Sequence, residues 1–486
     1  MPASIATLAP PAATDQVPDA EITTAIELLY LTKKGVSSHL LDVATHDGIV
    51  ELTGFVDNLL ARQRAEEIAL AVRGVRGVVN ELAVLTADVP DQQLKRDVEH
   101  ALATDSATAD YNVRVVVADG VVNLAGAVQS WPEKELVLRV LRGVRGVRKI
   151  LADHLGIRGG TLLNSDEEIT AQIRELLDWD IRVNSALVQV RTTDRAVHLA
   201  GTVGTAAEKA RIVATAYEAG AARADARDLF VAPWALPREL RRDKFGPRSD
   251  EAVAQAVRDT FLLDPRVFSY EPRVQVHHGV VTLAGTVSNL RAKQAAELDA
   301  RDVVGVWDVH NLLKVRPPHL LPDDTLRQAL TDALARDPYV GHFPLQVSAH
   351  NGRAHLHGPV NNHFEQERAG EVAAGVTGVV AVDNRVHVPN CPAPTDLDAL
   401  EPSAGPLRPA ISPNPDLALA ARIRGRYCWS ASLHDQEVAV EVENGRATLS
   451  GTVDTWLDRR QAALEAFEVG ARDVNNHLRV LAAEGH

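Results

Sequence analysis

A short phrase returns six times along this chain and constrains the fold more than any other feature: a turn, a glycine, an alternating run that ends in leucine, and a closing glycine. It reads DGIVELTG at 47–54, DGVVNLAG at 119–126, DRAVHLAG at 194–201, HGVVTLAG at 278–285, NGRAHLHG at 351–358 and NGRATLSG at 444–451. The closing glycines, Gly54, Gly126, Gly201, Gly285, Gly358 and Gly451, follow one another at 72, 75, 84, 73 and 93 residues. Solenoid repeats are shorter, about 20–50 residues, and lean on their neighbours for a core. The longer period predicts six units, each with a small core of its own, and linkers where the spacing stretches.

Each phrase is a hairpin. Asp-Gly and Asn-Gly favour two successive residues at positive φ, as a type I′ turn requires, so Gly48, Gly120, Gly279, Gly352 and Gly445 mark hairpin tips. The third copy has Arg195 at that place, which predicts the least regular hairpin. Period-two alternation flanks the turns, with Val122 and Leu124 inward and Asn123 outward. Apolar stripes at helical spacing precede them: Leu94, Val98 and Leu102 before the second, Val253, Val257 and Phe261 before the fourth. After the closing glycines, the runs 130–133 and 205–208 read as capping boxes that open a second helix. A valine-rich strand follows, as at 304–309 and 376–380; in the third copy 220–223 lacks the valines and leaves its last strand in doubt. The expected unit is αββαβ, a three-stranded sheet with two helices on one face, in an α+β chain of two-layer modules.

This order, the D/N-G-x-V-x-L-x-G hairpin and the downstream valine run (Val304, Val306, Val309, Asn311 and Leu312; Val75, Val78, Asn80 and Leu82) resemble the BON domain, named for bacterial osmotic-stress and nodulation proteins. The resemblance implies a tandem array of non-enzymatic binding modules in osmotic or envelope stress, with phospholipid as one partner class and potassium sensing as another role. It needs no cofactor. The expected boundaries are a disordered leader 1–18, units at 19–88, 90–158 and 164–233, a basic linker 234–248, units at 249–316 and 322–388, a proline-rich linker 389–415, and a unit at 416–483. The two linkers would divide the array into three, two and one units, a string of separately packed modules.

Composition narrows the partners. Lys+Arg 51 against Asp+Glu 65 leaves a net charge of −14, which repels phosphate backbones and anionic lipid over most of the surface. Aromatic residues at 4% offer no stacking platform for single strands. No stretch has the roughly 18 uncharged apolar residues of a membrane span. The first basic residue is Lys33, so no charged signal region opens the chain, and the reading is cytoplasmic, with an envelope location by another export route as the alternative. Two cysteines, Cys391 and Cys428, exclude a disulfide scaffold and read as free thiols.

Several groups are candidate contacts. The loops Gly74-Val75-Arg76-Gly77 and Gly143-Val144-Arg145-Gly146 resemble the GXXG clamp of nucleic-acid-binding modules, the second within the chain's densest basic cluster, Arg139, Arg142, Arg145, Arg148 and Lys149. A helix stop followed by a turn glycine is the favoured reading, and nucleic acid is not the expected partner. The linker residues Arg238, Arg241, Arg242 and Lys244 form a second basic cluster, favoured as solvated linker. Trp131 and Trp456 open second helices, where they cap a core edge or offer an exposed contact, the core edge being favoured. His355 and His357 share the outer face of one strand and would bind metal only with a third ligand such as His350 or His363. No nucleophile elbow, phosphate loop or metalloprotease helix is present. Protein partners, or self-association through sheet faces and edges, complete the expectation.

Overall fold

The computed structural model describes residues 17–32, 35–36, 40–86, 88–158, 165–232, 244–246, 248–318, 321–388 and 415–480. Six αββαβ units follow one another as expected. Their first helices are Asp19–Thr32, Asp91–Thr104, Asp166–Trp179, Asp250–Leu263, Asp323–Arg336 and Pro415–Trp429. Their second helices are Leu59–Leu70, Trp131–Arg142, Ala206–Glu218, Leu290–Arg301, His363–Gly375 and Trp456–Glu468. In every sheet the second strand is central, antiparallel to the first and parallel to the third. Units 1 and 4 break the third strand in two.

One carboxylate ties each hairpin tip to its unit. The aspartate in the first turn of the first helix accepts tip N–H groups: Asp91 from Asp119 (2.9 Å) and Gly120 (3.1 Å), with Asp19, Asp166, Asp250, Asp323 and Asp416 in the same role. That clamp corrects the expectation of an irregular third hairpin. Arg195 takes φ 59° beside Asp194 at 51°, both N–H groups bonded to Asp166 at 2.9 and 2.7 Å, and the strands pair without a shift. The doubtful third strand also forms, Arg223–Val231, parallel to Ala196–Val203 with one irregularity between Asp225 and Asp228. Its inward Leu229 and Val231 supply the apolar alternation that 220–223 lacks.

Val122 and Leu124 are buried as the alternation predicts. Units 2, 4, 5 and 6 each have a separate core, but units 1 and 3 share one continuous cluster. The division into three, two and one separately packed groups is therefore corrected: the units are locked together.

The lock is one joint, built four times. In units 1, 2, 4 and 5 the second helix is followed by V-x-G-V (Val72–Val75, Val144–Val147, Val303–Val306, Val376–Val379), with all eight valines buried. The N–H of x donates to the last carbonyl of a first helix in another unit: Arg73 to Trp429 (3.0 Å), Arg145 to Arg336 (2.8 Å), Val304 to Trp179 (2.8 Å) and Thr377 to Thr104 (2.9 Å). Helix-end carbonyls have no partner within their own helix, so each joint satisfies one. A return bond runs from Ala431 to Ala71, Ile181 to Asp302 and Ser106 to Gly375; at the fourth place stands Pro338, which has no N–H. Units 1 and 6, 2 and 5, and 3 and 4 are thus paired.

The nesting is symmetric under exchange of the two halves of the chain, whose units correspond 1 to 4, 2 to 5 and 3 to 6 at several positions. Units 1 and 4 share N-caps Asn58 and Asn289, and Asn80 and Asn311, which bond to Glu66 and Glu297. Units 2 and 5 place Pro90 and Pro322 before their first helices. Units 3 and 6 share capping boxes at Thr205 and Thr455, and Arg174 and Arg424 reach the carbonyls of Val190 and Val440. These two lack V-x-G-V and receive no joint of this kind among the described residues. Exchanging the halves maps the 6-to-1 joint onto 3-to-4 and the 2–5 pair onto itself.

Candidate functional site

The joints gather charge between units. Four first helices end in an aspartate that accepts the N–H two residues on: Asp105, Asp180, Asp264 and Asp337. Each of these carboxylates then meets an arginine. Asp180 takes Arg182 and Arg211, both at 2.7 Å, and Arg182 crosses the 3–4 joint to Asp302 at 2.8 Å. Asp337 takes Arg368 at 2.8 Å, and Asp105 takes Arg291 of unit 4 at 3.2 Å. Lys244, from the linker, is buried and donates to the carbonyls of Leu177, Asp180 and Val183 at the end of unit 3's first helix.

Two adjoining clefts result. One, of about 320 Å³, lies between units 2, 3 and 4 and is lined by eight carboxylates and four arginines. The other, of about 310 Å³, lies between units 2, 4 and 5 and reverses the balance, with five arginines to three carboxylates. Arg139 and Arg266 line both. Burial raises the Asp180 carboxyl, but Arg182 and Arg211 outweigh it and hold it well below the usual range. Burial likewise raises Asp264, which Arg266 overcomes, whereas Asp299 is pushed up by burial and by the charge of Asp264. The two carboxyls are thus driven apart, Asp264 downward and Asp299 upward, as neighbouring carboxylates in a buried site are. Asp299 Oδ2 is buried without a partner among the described residues. Most of these side chains are bonded to one another, a set that orients and recognises rather than one that presents an activated nucleophile.

The sequence candidates fall elsewhere or take structural parts. Trp131 stacks on Tyr217 of unit 3 at 5.7 Å, and the Arg301 guanidinium of unit 4 lies 5.7 Å from the Trp456 ring centre. Both tryptophans are half-buried between units, which corrects the core-edge reading. The two GVRG phrases are not equivalent: Gly74 and Gly146 are the matching positions, at φ 88° and 96°. Both loops turn a helix into a strand, with Arg145 giving its N–H to the joint, Arg148 paired with Asp88, and Arg142 with Glu135. Lys149 is exposed at a strand start. Arg238, Arg241, Arg242, Cys391 and the His363 side chain lie outside the described residues; Cys428 is an exposed thiol. His355 bonds Asp383 at 3.1 Å, and the His357 ring lies 5.8 Å from that of His387. Among the described residues no group of three metal-ligating side chains is assembled. No described helix is long and apolar enough to cross a membrane.

The clefts themselves were missed. A usable signal existed: the aspartate fourteen residues after the clamping one, Asp91 and Asp105, Asp166 and Asp180, Asp250 and Asp264, Asp323 and Asp337.

With that geometry in hand, comparisons place the chain among known proteins. A sequence model described as the BON domain matches residues 18–86, 90–159, 165–223, 249–317, 322–390 and 415–482. The chain is similar to the "Osmotically-inducible protein Y" of Escherichia coli K12, 26% identical over 142 residues, which are 28% of this chain and 71% of that protein. It is also similar to an uncharacterised protein in the gshII 5′ region of Anaplasma centrale, 29% identical over 128 residues, 25% of this chain and 84% of that one. Among solved structures, CdsD, a structural protein of the type III secretion system of Chlamydia trachomatis, aligns over 47% of this chain and 94% of its own at 16% identity and a TM-score of 0.13.

Proposed function

The chain belongs to the BON-domain family, and on that premise we propose that it is a non-enzymatic, multivalent binding and scaffold protein of osmotic or envelope stress. The likeness to an osmotically inducible protein supports the stress setting. The observation that carries the scaffold reading is the set of backbone joints between units 1 and 6, 2 and 5, and 3 and 4. Units on loose tethers lose ordering entropy each time they engage together, whereas units held in one body present their sheet faces already ordered. The ion-paired state of the arginines and carboxylates between units supports a binding rather than a catalytic role. The same reading places the protein in the cytoplasm, where the exposed Cys428 thiol stays reduced.

The test is genetic and biochemical. Deleting the gene should slow recovery from a hyperosmotic shift, and the full chain should restore it, whereas either half alone should not. Recovery of the deletion strain at the parental rate would end the stress reading. Flotation of the full chain with anionic vesicles at low salt would assign the partner to phospholipid rather than protein.

A further inference from the structure

We propose that the cleft between units 2, 4 and 5 binds a small phosphate-type oxyanion, gripped by Arg139, Arg266 and Arg291. The inference is independent of the stress role and rests on a comparison of corresponding positions in the two halves of the chain. Two of the three guanidiniums have carboxylates: Arg266 bonds Asp264 at 2.9 Å and Arg291 bonds Asp105 at 3.2 Å. Arg139 forms no ion pair or hydrogen bond among the described residues, and Arg291 Nε is buried without a partner. The three arginines and their two carboxylates leave one positive charge uncompensated, and five arginines and three carboxylates line the wall. Arg139 reaches solvent at the cleft mouth, and the like charges of Arg266 and Arg291 beside it lower its affinity for its own proton. That is the strain an anion would relieve. Arg291 is seated there because Gly375 has no side chain: a Cβ would lie 2.3 Å from the guanidinium.

The other half of the chain shows that the scaffold does not require these charges. The helix and loop positions of Arg139, Arg266 and Arg291 are occupied in the repeat by Glu371, Gly35 and Leu60. There the fold closes without a matching arginine group: the Arg64 guanidinium lies 4.3 Å from the Phe364 ring centre, and the Tyr339 hydroxyl donates to the Gly35 carbonyl at 2.7 Å. Gathering three like charges costs free energy, and a joint that holds without them in one half has no structural reason to collect them in the other. Guanidinium forks from two units around one point fit a tetrahedral oxyanion, which offers acceptors on all sides, better than a planar carboxylate. The cleft volume, about 310 Å³, is at the small end of ligand sites. On a chain of net charge −14, a local positive cleft also concentrates anions that the rest of the surface repels.

Isothermal titration of the full chain with inorganic phosphate and pyrophosphate, at fixed ionic strength in chloride, tests this. One saturable site is expected, weakened about tenfold or more in Arg139→Glu, the residue the repeat carries, and by less in Arg139→Gln. Arg114→Glu, the same charge change on an exposed strand face, should leave the affinity unchanged. Because Arg139 has no carboxylate partner to strand, both variants should keep the parental circular dichroism and melting temperature. No saturable heat with either anion, or equal weakening by Arg114→Glu, overturns the proposal. So does full affinity in a folded Arg139→Glu.

Discussion

At the scale of single residues, the chain spends its buried charges where helices end. Asp458 shows the cost. It closes the capping box of unit 6, with Thr455 donating to it through N–H (3.1 Å) and hydroxyl (2.7 Å), yet burial pushes its carboxyl up to about 7. A carboxyl raised above its unfolded value holds an extra proton in the folded state, so its contribution to stability is present at low pH and is lost as pH rises through about 7. Asp458→Asn keeps the acceptor and cannot ionise. Its denaturation midpoint should exceed that of the parent at pH 8 and converge with it near pH 4; equal midpoints at both would refute the buried-acid account. Lys244 is the complementary case, an ammonium pulled down to about 8 by burial but held by three carbonyls.

At the scale of elements, the V-x-G-V turn does two jobs at once. Its valines complete the core of their own unit, and the N–H of x, turned outward by the glycine, docks a foreign helix end. A substitution at x can therefore weaken a joint without opening a core. Thr377→Pro removes both bonds donated to the Thr104 carbonyl, from the N–H and from the hydroxyl (2.9 Å each), and should lower stability by about 1–3 kcal/mol. Hydrogen exchange at Ser106, whose N–H returns the bond to Gly375, should quicken with it. Unchanged protection at Ser106 would mean that the two bonds of the joint are not cooperative. The hairpins were legible element by element from the turn residues, and the αββαβ order from the spacing of apolar residues. The third unit misled because the turn glycine is replaced by Arg195, and the clamp that supports it, Asp166, lies 29 residues away.

At the scale of the whole molecule, every one of the four joints links the first three units to the last three. Residues 1–248 and 249–486, produced as separate chains, should therefore combine one to one into a complex with the mass of the intact protein. Each half also carries both partners of the joint types it needs: unit 2 has a V-x-G-V and a free helix end, unit 1 the turn and unit 3 the end that docks to it. Each half alone should then pair with a second copy of itself. Light scattering reads both outcomes, and halves that stay monomeric together and apart would remove the joints as the organising contact. The expectation of independent modules failed here, since avidity through flexible tethers and avidity through a fixed body use the same six repeats.

The sequence alone determined what each stretch of about 70 residues does: a turn pair at positive φ, alternating faces and helical stripes report bonds that the chain makes with itself nearby. It also contained the correspondence of the two halves, through paired positions such as Asn58 with Asn289 and Trp179 with Trp429. Only the tertiary structure decided which units meet. The joints are made by backbone N–H and carbonyl groups, which every residue but proline supplies, and only at Thr377 does the side chain at x add a bond, from its hydroxyl to the Thr104 carbonyl, so x carries little mark of its partner. The arginines of the clefts were in view from the start, but a charge on one helix reads as solvated surface until another unit is brought against it.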